Sequence, residues 1–175
     1  MWQWRCSAGS LSWAVVCGVG LALAFPAGAQ APTPEGGQLQ IEANAGNLSW
    51  GTPHHVSSAS NGDFVVVWRL SPFAIQAQRY ASDGSPQGGQ FEVNTYSAFV
   101  QNSPKVATAP DGDFIVVWQS GGSPETDTDS DSIQGRRFSS DGSPQGIQFQ
   151  VNSYTTGYQG FPSISCASNG DSIVV

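Results

Sequence analysis

The sequence predicts an all-β protein built from four-stranded antiparallel units repeated along the chain, and three observations predict it. The first is self-similarity. "ASDGSPQGGQFEVNTYS" from Ala81 aligns with "SSDGSPQGIQFQVNSYT" from Ser139, an offset of 58, and "NGDFVVVW" from Asn61 aligns with "DGDFIVVW" from Asp111, an offset of 50. The second is the pattern of the apolar residues. Short runs alternate with a period of two, and no segment beyond the N-terminal region carries an apolar period of 3.6 residues. The third is punctuation. With 21 Gly and 11 Pro, the chain has turn formers between nearly all of these runs.

Each unit reads as four strands in order. The first is a short run such as "KVATA" from Lys105, followed by a Pro/Asp/Gly turn. The second is "FIVVW", with Phe114, Val116 and Trp118 on one face and Ile115 and Val117 on the other. A strand apolar on both faces is buried on both. The third is "SIQGRRF" from Ser132, with "AIQAQRY" from Ala74 as its counterpart. The fourth is "IQFQVN", which places Phe149 and Val151 inward and Gln148, Gln150 and Asn152 outward, toward water. The unit is about 50 residues, and the later copy has grown between Trp118 and Ile133, in "QSGGSPETDTDSDS". Insertions collect in loops, so that stretch is expected to be one.

Four antiparallel strands in 40–50 residues is the size of a β-propeller blade, and a blade packs both faces on its neighbours. A two-sheet sandwich is the rival. It would give every strand one polar face, which "FVVVW" from Phe64 lacks. Counting along the chain gives one last strand (Leu39–Asn44), two whole units, and a third that ends at "SIVV". Propellers close with four to eight blades. The expectation is therefore an incomplete β-propeller-type array, either a piece of a longer protein or a chain that self-associates through open blade faces.

The recurring pattern "DGDF-VVVW … IQAQRY … DG-P-G … F-V-N … P-V-A" resembles a β-propeller-like repeat of exported bacterial proteins, often large surface or calcium-associated ones. The resemblance covers Gln38 to Val175. It implies architecture and export, and it carries no catalytic residue to transfer.

The N-terminus reads as an export signal. Arg5 supplies a positive start, Leu11 to Phe25 an apolar core, and Ala27-Gly28-Ala29 a cleavage pattern, leaving Gln30 as the first mature residue. The apolar run is short for a span of about 20 residues, and Cys17 follows Val16, where a lipid-attachment site wants a small residue. The domain reading is a signal peptide over 1–29, a linker over 30–37 and propeller-type repeats over 38–175. No membrane span is expected once the signal is removed. The formal net charge is −7, and every acidic residue lies beyond the signal. Scattered bases on an acidic chain argue against nucleic acid. Of three cysteines only Cys166 remains in the mature part, which excludes an intrachain disulfide.

The candidate metal site is "ETDTDSDS". Asp127, Asp129 and Asp131 alternate, as oxygen ligands do in calcium loops. The run departs from an EF-hand, with Ser132 at the turn glycine and Phe138 at the closing Glu, and a solvated acidic insertion is the competing reading. Asp63, Asp113 and Asp171 recur in every unit beside Gly62, Gly112 and Gly170, which points to turns rather than to a catalytic pair. His54 and His55 are adjacent in a strand, so they face opposite ways and do not share a metal. Arg79 and Arg137 each precede an aromatic and suit a salt bridge or a cap on it. Trp68 and Trp118 read as core, and Trp50 as an exposed aromatic in a loop. Asn47-Leu48-Ser49 is a glycosylation sequon, relevant only in a eukaryotic secretory pathway.

The expected function is a secreted, periplasmic or cell-surface repeat module with a binding, adhesive or scaffolding role, without catalysis of its own. Its ligand would sit on a loop face or in the central channel. No cofactor is required, with Ca²⁺ the one candidate. The alternatives are a propeller segment of a larger exported enzyme, such as a carbohydrate-active one, and a calcium-associated surface protein.

Overall fold

The computed structural model describes residues 54–70, 73–123, 127 and 129–175. The expected signal, linker and Leu39–Asn44 strand lie outside the described residues, as do Trp50 and the Asn47 sequon. Among the described residues every regular element is a strand. The first sheet is β1 (His54–Ser58), β2 (Phe64–Leu70), β3 (Ala74–Tyr80) and β4 (Phe91–Glu92). The second is β5 (Gln101–Thr108), β6 (Phe114–Ser120), β7 (Ser132–Phe138) and β8 (Phe149–Gln150). The third is the pair β9 (Ile164–Cys166) and β10 (Ser172–Val174). Strands follow one another in sequence order within each sheet, and every pairing is antiparallel.

The second strand of each unit sets the packing. Every residue of β6 is buried. Phe114, Val116 and Trp118 pack with Phe138 and Val106 against Val65, Val67, Ile75 and Ala77 of the first sheet. Ile115 and Val117, with Ala107 and Ile133, pack against Ile164, Cys166 and Val174 of the third. The middle sheet is thus covered on both faces, as the alternating apolar sets require and as a two-sheet sandwich does not provide. Fully burying one such Val or Ile contributes about 1.5–3 kcal/mol. Trp118 is enclosed, and its indole Nε1 donates to Gln101 Oε1 at 2.7 Å, so its one polar atom is satisfied. Phe114 stacks on Phe138 with ring centroids 5.1 Å apart, as Phe64 does on Tyr80 at 5.0 Å.

The outer strands depart from the expectation in instructive ways. The first strand of the second unit begins at Gln101, earlier than Lys105, because a bulge between Asn102 and Lys105 lets the ladder continue past Pro104. Ser103 there has a φ of 50°, and Phe161, at the matching place before Pro162, has 56°. The repeat thus imposes one backbone conformation on two unlike residues. The fourth strand is shorter than "IQFQVN". Val151 N–H still donates to the Ile133 carbonyl, but Ile133 N–H then donates to the Asn152 side chain instead of to a backbone carbonyl. Val93, Ile75 and Asn94 repeat this ending in the first unit. The asparagine amide closes the ladder where the strand would have continued.

Gln148 corrects the expected polar outer face. It is buried, accepts the N–H groups of Thr95 and Tyr96 on Oε1 at 3.0 and 3.3 Å, and donates to Gln134 Oε1 at 3.1 Å. Phe149 points inward as expected, lying over Gly135, where an added Cβ would come within 3.0 Å of its ring.

Replacing Trp118 with Ala removes an enclosed indole from the interface of two sheets and leaves Gln101 Oε1 unpaired. We expect a loss of about 3–5 kcal/mol in urea unfolding. A loss under about 1 kcal/mol would mean that this junction does not hold the sheets together.

Candidate functional site

The antiparallel order puts the β1–β2 and β3–β4 turns at one end of a unit. The β2–β3 connection and the segment leading to the next unit lie at the other. The first end is built from one turn used repeatedly. In Ala59–Asp63, Ala81–Ser85, Ala109–Asp113, Ser139–Ser143 and Ala167–Asp171, the first N–H donates to the fifth carbonyl and the fourth N–H to the first carbonyl. The fourth residue is always Gly, at a φ of 87–93°. At Gly62 and Gly112 a Cβ would also come within 3.0 Å of the Cβ of Ser82 and Ser140, so glycine is required twice over. The third residue is Asn or Asp. Its side chain accepts the fifth residue's N–H, as in Asn61 with Asp63 and Asp141 with Ser143. The Ser85 hydroxyl and amide hold the Asp83 carboxyl below its usual range, and the Ser143 amide and hydroxyl do the same for Asp141.

The recurrent aspartates stitch these turns together. Asp63 accepts Ser82 N–H at 3.0 Å and Gln87 Nε2 at 3.2 Å. Asp113 accepts Ser140 N–H at 2.9 Å and Gln145 Nε2 at 2.6 Å. Asp171 accepts Asn169 Nδ2. Arg79 reaches the neighbouring unit, donating to the Asp141 carbonyl at 2.5 Å and to Gln87 Oε1 at 2.7 Å. Its partner across the units is thus a backbone carbonyl and not a carboxylate. Arg137 lies over the Phe149 ring, 4.7 Å from its centroid, so it caps an aromatic, though not the neighbouring Phe138. Between the first two units these groups line a cleft of about 310 Å³ that includes Asp63, Arg79, Asp111 and Asp141. Between the second and third, a cleft of about 180 Å³ is lined at matching places by Asp113, Arg137 and Gly170. Cys166, a free thiol, is half-buried beside it.

The histidines divide as the strand geometry requires. His54 is exposed, while His55 is half-buried, and its Nδ1 accepts Val106 N–H at 3.3 Å. Ser57 Oγ accepts Thr108 N–H at 3.0 Å one pleat further on. Side chains of β1 thereby serve the free edge of β5. Burial, with the Lys105 charge nearby, holds His55 below the ordinary histidine value.

The other end differs from unit to unit. A cleft of about 440 Å³ is lined there by Tyr96, Phe99, Gly121, Gly122, Ser130 and Asp131. Tyr154, Tyr158 and Phe161 are exposed on the segment leading to β9. The aspartates of the insertion have separate partners. Asp127 is buried and accepts Asn152 Nδ2 at 2.9 Å, Asp129 accepts Gly157 N–H at 3.0 Å, and Asp131 accepts Gln119 Nε2 at 2.6 Å. Among the described residues no three His, Cys, Asp or Glu side chains converge on a common point. None of the helices that a membrane span would need occurs among them either.

Sequence reasoning passed over the polar residues that join the elements: Gln87 and Gln145, Asn94 and Asn152, and Gln148. All of them recur at the same offset as the hairpin, and that recurrence was the available signal, although Gln90, the counterpart of Gln148, is exposed. No protein-family model matches the chain, and no curated protein matches it either.

Two outcomes follow from this geometry. Asp113→Ala removes two charge-assisted bonds and should lower stability by about 1–2 kcal/mol, with faster amide exchange at Ser140. Unchanged exchange there would show that the carboxylate does not hold the two turns together. His55 must be neutral at Nδ1 to accept Val106 N–H, and its folded pKa is depressed. Its contribution is complete above the unfolded value of about 6.5 and is lost as pH falls through the lower folded value. The thermal midpoint should fall between about pH 7 and pH 5, and His55→Gln should flatten that slope. An equal slope in both proteins would remove the junction role of His55.

Proposed function

We propose that this chain is a propeller-type repeat module of an exported protein, with a binding or scaffolding role and no catalysis of its own. One observation carries the reading. The carboxylates that recur at equivalent positions in successive units, Asp63 and Asp113, are each spent on a turn amide and a glutamine side chain. A catalytic site needs a constellation set apart from the repeat, and general bases need a reachable substrate proton. Repeated groups bonded to their own backbone are framework. Ligand contact belongs to the loop end, where the units differ and the cleft at Tyr96, Phe99 and Asp131 offers aromatic and carboxylate groups together.

The array reading also has support in the faces of the sheets. Val65 and Ile115, which occupy one repeat position, are 5% and 7% exposed because the next unit covers them. Ile173 occupies the same position in the third unit and is 68% exposed. That face is open to a unit bearing an aromatic–Val–Trp strand from another copy of the chain. In sedimentation and dye-binding experiments the chain should self-associate or bind a hydrophobic dye, and Ile173→Asp should suppress both. A monomer that binds no dye would refute the open-array reading.

A further inference from the structure

We propose that the loop end of the second unit holds a hard metal cation, of the Ca²⁺ type, anchored on the carboxylate of Asp127. The inference rests on a comparison of two equivalent asparagines and is independent of the scaffolding role. In the first unit, Asn94 Oδ1 accepts Ile75 N–H at 2.6 Å, and Nδ2 donates to the carbonyls of Phe73 at 3.1 Å and Tyr96 at 3.0 Å. Two amide protons meet two neutral acceptors, and the site is balanced.

In the second unit the same residue is Asn152. Its Oδ1 accepts Ile133 N–H at 2.8 Å, which fixes the nitrogen end of the amide. That nitrogen faces three oxygens: the Tyr154 carbonyl at 2.7 Å, Asp127 Oδ2 at 2.9 Å and Gln159 Oε1 at 3.4 Å. Two protons cannot serve three acceptors. Asp127 is completely buried, and its second oxygen, Oδ1, has no hydrogen-bond partner. The insertion has therefore replaced the neutral Phe73 carbonyl of the first unit with a buried carboxylate, and Gln159, on the segment leading to β9, adds a further oxygen beside it.

Such a carboxylate is stable as an anion only when paired or fully bonded. No described basic side chain bonds to it. Arg79 bonds to the Asp141 carbonyl, Arg136 to the Val93 carbonyl and Arg69 to Asn102, while Arg137 covers Phe149 and Lys105 stands by His55. What remains is a buried carboxylate oxygen with no hydrogen-bond partner, on a residue whose other oxygen shares Asn152 Nδ2 with the oxygens of Tyr154 and Gln159. A hard cation with six to eight oxygen ligands, some from water, satisfies that arrangement. Asp129 and Asp131 act beside it without being its first ligands. Asp129 holds Gly157 N–H, and the Asp131 carbonyl holds Gln159 N–H at 3.2 Å, so both clamp the insertion onto the segment that carries Tyr154 and Gln159.

The test uses the full chain and Ca²⁺ alone, with Tb³⁺ as a luminescent stand-in excited through nearby tyrosines. Calcium should raise the thermal midpoint in a concentration-dependent way and should quench the terbium signal. Asp127→Asn keeps the shape and one acceptor for Asn152 but loses the charge, and should weaken calcium binding about ten-fold or more. No shift in the wild type up to about 10 mM calcium, beyond the weak end of extracellular calcium modules, would overturn the proposal. An equal response in Asp127→Asn would also overturn it, by placing the ion on exposed carboxylates. Should that variant not fold, Gln159→Met removes one oxygen and leaves Asn152 two acceptors. A weakened calcium response there supports the site, and an unchanged one overturns it.

Discussion

A second strand that is apolar on both faces is the constraint from which the rest follows. A sheet centred on Phe114–Ser120 cannot expose either face to water without losing most of its stabilisation. It must lie between two others, and the others inherit the same requirement. Apolar contact is non-directional, however, and does not by itself set how one sheet sits on the next. Polar bonds between units do that. His55 and Ser57 accept amides from the edge of β5, Gln148 gathers the amides of Thr95 and Tyr96, and Arg136 reaches the Val93 carbonyl. Burial supplies the stabilisation, and these few bonds choose one arrangement among the many that burial alone would tolerate.

The two ends of the units answer to different demands. One end repeats a single five-residue turn, with glycine at positive φ and an aspartate that binds the turn beside it. Nothing there can change in one unit without breaking bonds to the neighbouring turn or unit, which explains why the residues recur. The other end bears connections whose lengths and residues differ, and its backbone is held by side chains such as Asn94 and Asn152 rather than by ladder bonds. A framework of this kind can vary one end freely while the other keeps the array in register.

Much of the fold was legible because the repeat printed each strand twice. The third strands begin and end where "AIQAQRY" and "SIQGRRF" do, and the two-faced burial of β6 follows from its alternating apolar sets. What escaped were positions where a side chain does a backbone's work. Asn152 ends a ladder that its sequence would have continued, and Pro104 sits inside a strand because a bulge removes the need for its missing N–H. Gln148 reads as a solvent-facing residue in a period-two pattern, yet it is buried because three N–H or O–H donors from residues 95 and 96 need an acceptor there. Periodicity reports which face a residue occupies. It does not report whether that face meets water or the polar edge of another unit. The alternation of Asp127, Asp129 and Asp131 misleads for a related reason, since none of the three lies in a strand and their carboxylates point to three different partners.

The insertion shows how such an array absorbs new chain without losing its core. Both asparagines present the same amide, and each needs acceptors for two protons. In the first unit the short β2–β3 connection provides one through the Phe73 carbonyl. In the second unit Asn152 Nδ2 makes no such bond to a described carbonyl of the β6–β7 connection, and a residue of the insertion must take its place, or a buried amide is left unpaired at a cost of about 1–3 kcal/mol. Asp127 Oδ2 meets that need. A neutral serine or asparagine oxygen would have done so equally well for the amide. The choice of a carboxylate adds a charge that the amide does not require and leaves Oδ1 buried with no partner. The framework therefore accounts for one oxygen of Asp127 and not for the other, and that difference separates a residue serving only the fold from one placed to meet something outside the chain.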